Sequence, residues 1–323
     1  MKLPRRKFLH LAAGASVLSS VSRFAQAQAY PSRPVRLVVG FPAGLTPDIV
    51  ARLIAQPLSE RLGQQVIVDN RPGAGSNIGA EAVVHAPADG YTLLVVTWAN
   101  AVNATLYRGL NFDIVLDIAP IAGTFRSPLV MVVNPSFPAK TVPEFIAYAK
   151  ASPGKINYAS PGYGTASNMA GELFKMMAGV DLAHVPYRGS YMPDLIAGQV
   201  QATFTPIATA IEFVRAGELR VLAVTGAARS DLLPAVPALA EFLPGYEAHV
   251  WHGIGTPKNT PAAIINKLNS EINAVLADPK TKERFAEVGG TVLGGSPADF
   301  GKLIADEIEK WGKVILAANI KVQ

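Results

Sequence analysis

The 323-residue chain has no cysteine, which excludes a disulfide framework, a thiolate metal site and a lipid-anchored cysteine. Long apolar runs are also missing after the first 30 residues. Every apolar stretch there is broken by Pro, Gly or charge before it reaches membrane-spanning length. No Gly-x-Ser-x-Gly elbow occurs, and no glycine loop ends in Lys-Ser or Lys-Thr, so two common enzyme templates find no match. Solenoid-type repeats and low-complexity linkers are absent too. Charged residues are scarce, at 16%, but half of the residues are apolar, which excludes general disorder.

The first 29 residues read as an export signal. Met1-Lys2-Leu3-Pro4-Arg5-Arg6-Lys7 precedes an apolar segment over 8–21, and cleavage sites of small-x-small type end at Ala27 and Ala29. Arg5-Arg6-Lys7-Phe8-Leu9 fits a twin-arginine signal, with a general secretion signal as the alternative. The segment carries five of the 29 basic residues and no acid. Its removal leaves 24 basic against 24 acidic residues. The high pI therefore belongs to the signal and gives no support to a nucleic-acid partner. The remaining part is expected to be exported and free of membrane spans. At roughly 290 residues it suits two lobes better than one core.

The stretch V-R-L-V-V-G-F-P-A-G-L-T-P-D-I-V-A-R, residues 35–52, organises the rest. A short β-branched run is followed by a forced glycine turn and then by renewed apolar periodicity at Ile49, Val50, Leu53 and Ile54. Thr46 is the expected N-cap, with Pro47 and Asp48 in the first helical turn. A strand, a glycine turn and a helix start present backbone N–H groups to an anion. Residues 155–175, K-I-N-Y-A-S-P-G-Y-G-T-A-S-N-M-A-G-E-L-F-K, repeat this logic. There Gly162 and Gly164 let the backbone approach a ligand, Thr165 and Ser167 supply hydroxyls, and Asn168 adds an amide. Read alone, this second segment is equally an ordinary capped turn. Paired with the first, it makes a cradle for a carboxylate at each end of a ligand.

Strand and helix signals alternate along the chain. Strands are expected at 65–69, 91–97, 127–133, 156–159, 183–186, 200–204, 219–224 and 250–255. Helices are expected at 78–85, 141–150, 166–178, 207–216, 261–277, 279–288 and 297–318. The pattern predicts an α/β protein with mostly parallel sheets flanked by helices. Gly73-Ala74-Gly75-Ser76-Asn77-Ile78-Gly79 misses dinucleotide spacing by one residue and lacks a ribose-binding acid, so it reads as a tight turn. His249 and His252 match no zinc spacing, and His85 and His184 stand alone. No cofactor or metal is expected.

At these residues the chain resembles the solute receptors of tripartite tricarboxylate transporters, the Bug family. The resemblance is carried by Tyr30-Pro31-Ser32-Arg33-Pro34, Gly40-Phe41-Pro42-Ala43-Gly44 with Asp48, and Asn70-Arg71-Pro72-Gly73-Ala74-Gly75. Further matches are Ala88-Asp89-Gly90-Tyr91-Thr92-Leu93, Asn157-Tyr158-Ala159-Ser160, Gly162-x-Gly164-Thr165 and Ala170-Gly171-Glu172-Leu173-Phe174. His184-Val185-Pro186-Tyr187-Arg188-Gly189 and Lys310-Trp311-Gly312-Lys313-Val314 complete the set. It implies a two-lobed periplasmic binding protein of type II-like build that is no enzyme and closes on an organic acid. Lobe 1 would be 30–128 plus 252–323 and lobe 2 would be 129–251, with hinge crossings at 124–130 and 249–253. The implied partners are a large and a small integral membrane subunit, and the receptor itself is expected to be a monomer. The expected ligand-binding residues are Phe41, Ala43, Gly44, Leu45, Thr46, Asp48, Trp98, Ser160, Gly162, Gly164, Thr165, Asn168 and Tyr187.

The chain departs from the family pattern at several places. Leu45-Thr46-Pro47 stands where glycine and then Thr-Asp are usual, Asn168 replaces a common His, and Thr205 replaces a common Asp. Trp98 and Asn100 stand where small polar residues are frequent, and the segment from Ser190 to Asp194 is about two residues short. From this follows the expectation that Leu45, Trp98, Tyr191 and Met192 face an aromatic or long aliphatic acid, unless they pack against protein and leave a small-acid pocket. A sensory receptor on the same scaffold is the alternative function. An exported hydrolase or isomerase using Asp48 and His252 is a further one.

Overall fold

A computed structural model describes residues 30–231 and 233–321. The expected export signal, with its arginine pair and its two cleavage sites, lies outside them. From Arg33 onward the described residues form one compact unit.

The β-branched run becomes strand β1 (Val35–Val39), fully buried except at Arg36. Helix α1 (Thr46–Leu62) follows the glycine turn and is stopped by Gly63 in a left-handed conformation. Next come β2 (Val66–Asn70), a 3₁₀ turn at Ala74–Ser76, α2 (Asn77–Val84) and β3 (Thr92–Thr97). Thr97 then caps a helix that the sequence reading missed, α3 (Trp98–Leu106). A short α4 (Ile114–Asp117) leads into the long strand β4 (Ile118–Val133). The chain continues through α5 (Val142–Ala151), β5 (Asn157–Ser160), α6 (Ala166–Ala178) and β6 (Ala183–Pro186). It then forms α7 (Met192–Ile196), β7 (Ala202–Pro206), α8 (Ile207–Arg215) and β8 (Arg220–Val224). The last elements are β9 (His249–Pro257), α9 (Ala262–Ala277), α10 (Pro279–Glu287), β10 (Thr291–Gly294) and α11 (Pro297–Ala317).

The fold is the α/β class expected, with helices flanking the sheets. Strand order is β2-β1-β3-β9-β4-β7-β5-β6, with β8 and β10 also pairing with β4. The expected parallel pairing holds in the outer strands, β1 with β2 and β3, and β5 with β6 and β7. In the middle, β9 and β4 run antiparallel to their neighbours. The sequence reading recovered only the last part of β4, which is why this antiparallel centre escaped it. β4 pairs with β9 as far as Pro128 and with β7 from Leu129 onward, so one strand belongs to both halves of the sheet.

One core cluster gathers Phe145, Tyr158, Phe174, Phe204 and Tyr246 together with Trp311, Val314 and Ile315 of α11. Another joins Val38, Val83, Leu94 and Val96 to Trp251 and Phe300. Burying each such side chain contributes about 1.5–3 kcal/mol. The indoles of Trp251 and Trp311 both donate to the buried acceptor Glu307, at 3.0 and 2.7 Å, so neither buried N–H is left unpaired.

Candidate functional site

Two turns of the same build lie at the ends of β1 and β5. In the first, residues 40–44 carry the chain from β1 into α1, and Gly44 takes a φ of 85°. In the second, residues 161–165 lead from β5 into α6, and Gly164 takes a φ of 72°. Each turn aims a helix N-terminus outward, with roughly half an elementary positive charge from the helix dipole.

The first turn is held from inside. The Gly44 N–H donates to Asp48 Oδ2 at 2.9 Å, and Arg52 Nε donates to both oxygens of Asp48 at 3.0 and 3.1 Å. Asn70 Nδ2 donates to Asp48 Oδ1 at 2.9 Å and to the Phe41 carbonyl at 3.0 Å. Burial opposes ionisation of Asp48. The bonds from Arg52, Gly44 and Asn70, with the Arg52 charge, outweigh it and hold the carboxyl below its ordinary value. Asp48 is therefore a buried, ionised brace.

The second turn has the same internal hold with different chemistry. Gly164 N–H donates to Asn168 Oδ1 at 3.0 Å, and Thr165 Oγ1 donates to the Gly162 carbonyl at 2.7 Å while accepting from the Asn168 N–H. Ser160 Oγ accepts from Gly162 N–H at 3.0 Å and lies 2.6 Å from His184 Nε2. His184 is sandwiched by Tyr158 and the edge of Tyr163, with centroids 4.9 and 4.8 Å away. Burial, the largest influence, pushes this imidazole down to about 4, so it is neutral at ordinary pH.

The expected ligand-binding residues divide into two groups. Ala43, Gly44 and Leu45 are exposed, and Phe41, Thr46, Gly162, Gly164 and Thr165 are half-buried at the turns. Asp48, Ser160 and Asn168 are buried behind those surfaces. Leu45, not Thr46, is the N-cap of α1, and its side chain, which has no acceptor, makes no capping hydrogen bond. Tyr187 is half-buried on the segment after β6, where its hydrogen bond to Asp194 at 2.7 Å pushes the phenol up to about 12. Trp98 is half-buried and packs against both core clusters. Tyr191 and Met192 sit in a third core cluster, and the Tyr191 hydroxyl bonds Thr205 Oγ1 at 2.8 Å. Of the four apolar side chains expected to face a ligand, only Leu45 is exposed, at 49%.

Sequence reasoning missed Tyr163, which is 43% exposed at the tip of the second turn. Its place between Gly162 and Gly164, matching Ala43 in the first turn, was the available signal. It also missed α3 as a strut. Asn100 Nδ2 reaches Ser76 Oγ at 3.4 Å, and Asn103 Nδ2 donates to the Gly75 carbonyl at 2.7 Å. Ser76 in turn packs directly against Gly40, while Leu106 at the other end of α3 packs against Gly164. One helix thus touches the supports of both turns.

Residues 50–320 match the family described as tripartite tricarboxylate transporter family receptor. The chain belongs to this family. The receptor is 36% identical to the protein BugT of Bordetella pertussis over 302 residues, 92% of this chain and 93% of that one. It is also similar to the R. palustris protein Rpa4515, solved with adipate, at 38% identity and a TM-score of 0.76, covering 90% of this chain and 99% of that one. MatC of Rhodopseudomonas palustris, solved with bound malate, is 30% identical with a TM-score of 0.72, covering 88% and 100%. The receptor has the mixed α/β periplasmic binding protein fold of these neighbours, and none of its described helices is long and apolar enough to cross a membrane. As for the enzyme alternative, Asp48 braces its turn, and His252 is buried and stacked on Phe125 at 5.4 Å.

Proposed function

We propose that this receptor is a non-catalytic, exported protein that captures an organic carboxylate between its two glycine turns and hands it to the membrane subunits of a tripartite transporter. The observation that carries the reading is the pair of turns, each a glycine held at positive φ beside an outward helix N-terminus. Backbone N–H groups and helix dipoles suit carboxylate oxygens, and each such charge-assisted hydrogen bond contributes about 1.5–3 kcal/mol. The exposed parts of the expected site, Ala43, Gly44, Leu45 and Thr46 against Gly162, Gly164 and Thr165, would touch ligand. Asp48, Ser160 and Asn168 would act from behind.

The lobes would be 30–128 plus 252–323 and 129–251. The change of β4 partner between Pro128 and Leu129 supports that boundary, and α11, which packs into both core clusters through Phe300 and Trp311, would strap the two together. The receptor would act as a monomer beside a large and a small membrane subunit, after cleavage near Ala27 or Ala29. Adipate in the solved relative Rpa4515 and malate in MatC make aliphatic dicarboxylates the first ligands to try. With Trp98, Tyr191 and Met192 committed to cores, an apolar contact to the ligand would rest on Leu45 and Tyr163.

A thermal-shift screen against citrate, malate, aspartate, adipate, benzoate and terephthalate tests the reading. A ligand at 100 Kd adds about 2.7 kcal/mol to the native state, a readily measured rise in Tm. A rise with one of these acids is the expected result. No rise with any of them, on protein that melts cooperatively, would overturn carboxylate capture.

A further inference from the structure

Asp48 and Asn168 hold the same place in the two turns. Each is the fourth residue after a glycine of positive φ, each is buried (2% and 0% exposed), and each accepts that glycine's N–H, at 2.9 and 3.0 Å. Neither presents its side chain on the surface of the turn. Their remaining neighbours differ in hydrogen polarity. Asp48 meets only donors, Arg52 Nε and Asn70 Nδ2. Asn168 meets the Tyr158 hydroxyl, whose single proton is given to Glu172 Oε1 at 2.5 Å. That hydroxyl oxygen can only accept, and Asn168 Nδ2 donates to it at 2.9 Å. An inverted Asn168 amide would set N–H against the Gly164 N–H, so the orientation is fixed from both sides.

We propose that Asp48 and Asn168 are the paired positioning residues of the cleft, each fastening the glycine amide that shapes one turn for the ligand. Resting on the carboxylate reading above, the proposal adds that the pair is not interchangeable. Position 48 requires an acceptor only, and position 168 requires an acceptor and a donor. Asp48→Asn sets an N–H₂ group against Arg52 or Asn70 at every pH. Asn168→Asp, when ionised, leaves two carboxylates competing for one phenolic proton, and their repulsion draws the new carboxylate off the Gly164 N–H. When protonated, the new carboxyl accepts from Gly164 and donates to Tyr158, as asparagine does. The charged and titratable groups facing this point are Tyr158 on β5, Glu172 on α6 with Lys175 paired to it at 3.0 Å, and His184 on β6 stacked on Tyr158, with Tyr163 at its edge.

The test compares wild type, Asp48→Asn, Asn168→Asp and Asn168→Ala in the full chain at pH 7.5 and pH 5. Two readouts are used: affinity for the panel acid that wild type binds best, and hydrogen exchange of the Gly44 and Gly164 amides without ligand. Each variant is normalised to wild type at the same pH, which removes the ligand's own titration. The expected result is about a tenfold loss of affinity for all three variants at pH 7.5. At pH 5 Asn168→Asp alone returns to within about twofold of wild type, and its Gly164 amide regains protection. The proposal is overturned if Asn168→Asp matches wild type at pH 7.5, or if acid restores it no better than Asn168→Ala. Should Asn168→Asp fail to melt cooperatively at pH 7.5, refolding at pH 5 decides: protection of Gly164 there supports the proposal, and its absence overturns it. If wild type binds none of the acids, the carboxylate reading falls while the amide exchange still decides the positioning roles.

Discussion

Three histidines of the receptor illustrate how burial sets charge. His184, His249 and His252 all have values held below the ordinary imidazole range, with burial as the largest cause in each. His252 is the extreme case, pushed down to about 3 while stacked on Phe125. Its folded-state value lies below its unfolded one, so protonation favours the unfolded chain. Stability is therefore intact above about 6.5 and is lost as pH falls from there toward about 3. Replacing the ring by one of similar shape that cannot titrate, His252→Phe, is expected to flatten the acid limb. Urea denaturation at pH 7.5 and 4.5 measures it. Wild type should lose about 2–3 kcal/mol more than the variant between those values. Equal losses in the two proteins would show that His252 titrates freely.

At the scale of elements, the turns depend on one helix that neither of them contains. Leu106 ends α3 and fills the space in front of Gly164, where an added Cβ would stand 2.4 Å from its Cδ2 atom. The matching position Gly44 has open space in front of it. Both glycines lie in the left-handed region, where an L side chain costs about 1–2 kcal/mol. Gly44→Ala is therefore expected to cost only that strain, and Gly164→Ala the strain plus a collision. A double-mutant cycle with Leu106→Ala separates the two, since truncating Leu106 removes the collision and leaves the strain. Coupling between 106 and 164, with none between 106 and 44, is the expected pattern in thermal denaturation. This helix was invisible in the sequence because Trp98-Ala99-Asn100 follows a strand directly. Thr97 caps it through a box with Asn100 that no Glu or Gln announces.

At the scale of the molecule, a charged cluster joins β4, β9 and α11. Glu247 is bonded by Arg126 of β4 and by His249 of β9 at 3.1 Å, and Lys310 of α11 donates to its carbonyl at 3.2 Å. The His249 hydrogen bond leads, the Arg126 and Lys310 charges add to it, and together they outweigh burial to push the Glu247 carboxyl down to about 2. Stability from this group is present above about 4.5 and is lost as pH falls toward about 2. Glu247→Gln is expected to lower Tm at pH 7 and to narrow the gap to wild type at pH 3. A scanning calorimeter reads both. Hinge closure around ligand is the motion the proposed lobes would make. Small-angle scattering is expected to show a smaller radius of gyration with the bound acid than without it, and an unchanged radius would count against closure.

The sequence by itself determined the strand–turn–helix units at 35–52 and 155–175, the glycines that turn them and the family. These depend on backbone propensity and periodicity within a few residues. The family pattern led to the expected lobe boundary at 128/129, while most of β4 was not read from the residues. Only the tertiary structure decided which way polar and aromatic side chains turn. Tyr191 and Met192 look like pocket residues in the sequence, but they are covered by Val130, Val132 and Val224 from distant strands. Asp48 and Asn168 look like ligand contacts, but they point inward because Asn70 in one case and Tyr158 in the other wait behind the turn. Such pairings join a helix to a strand across 10 to 22 positions of sequence, and no local pattern encodes them.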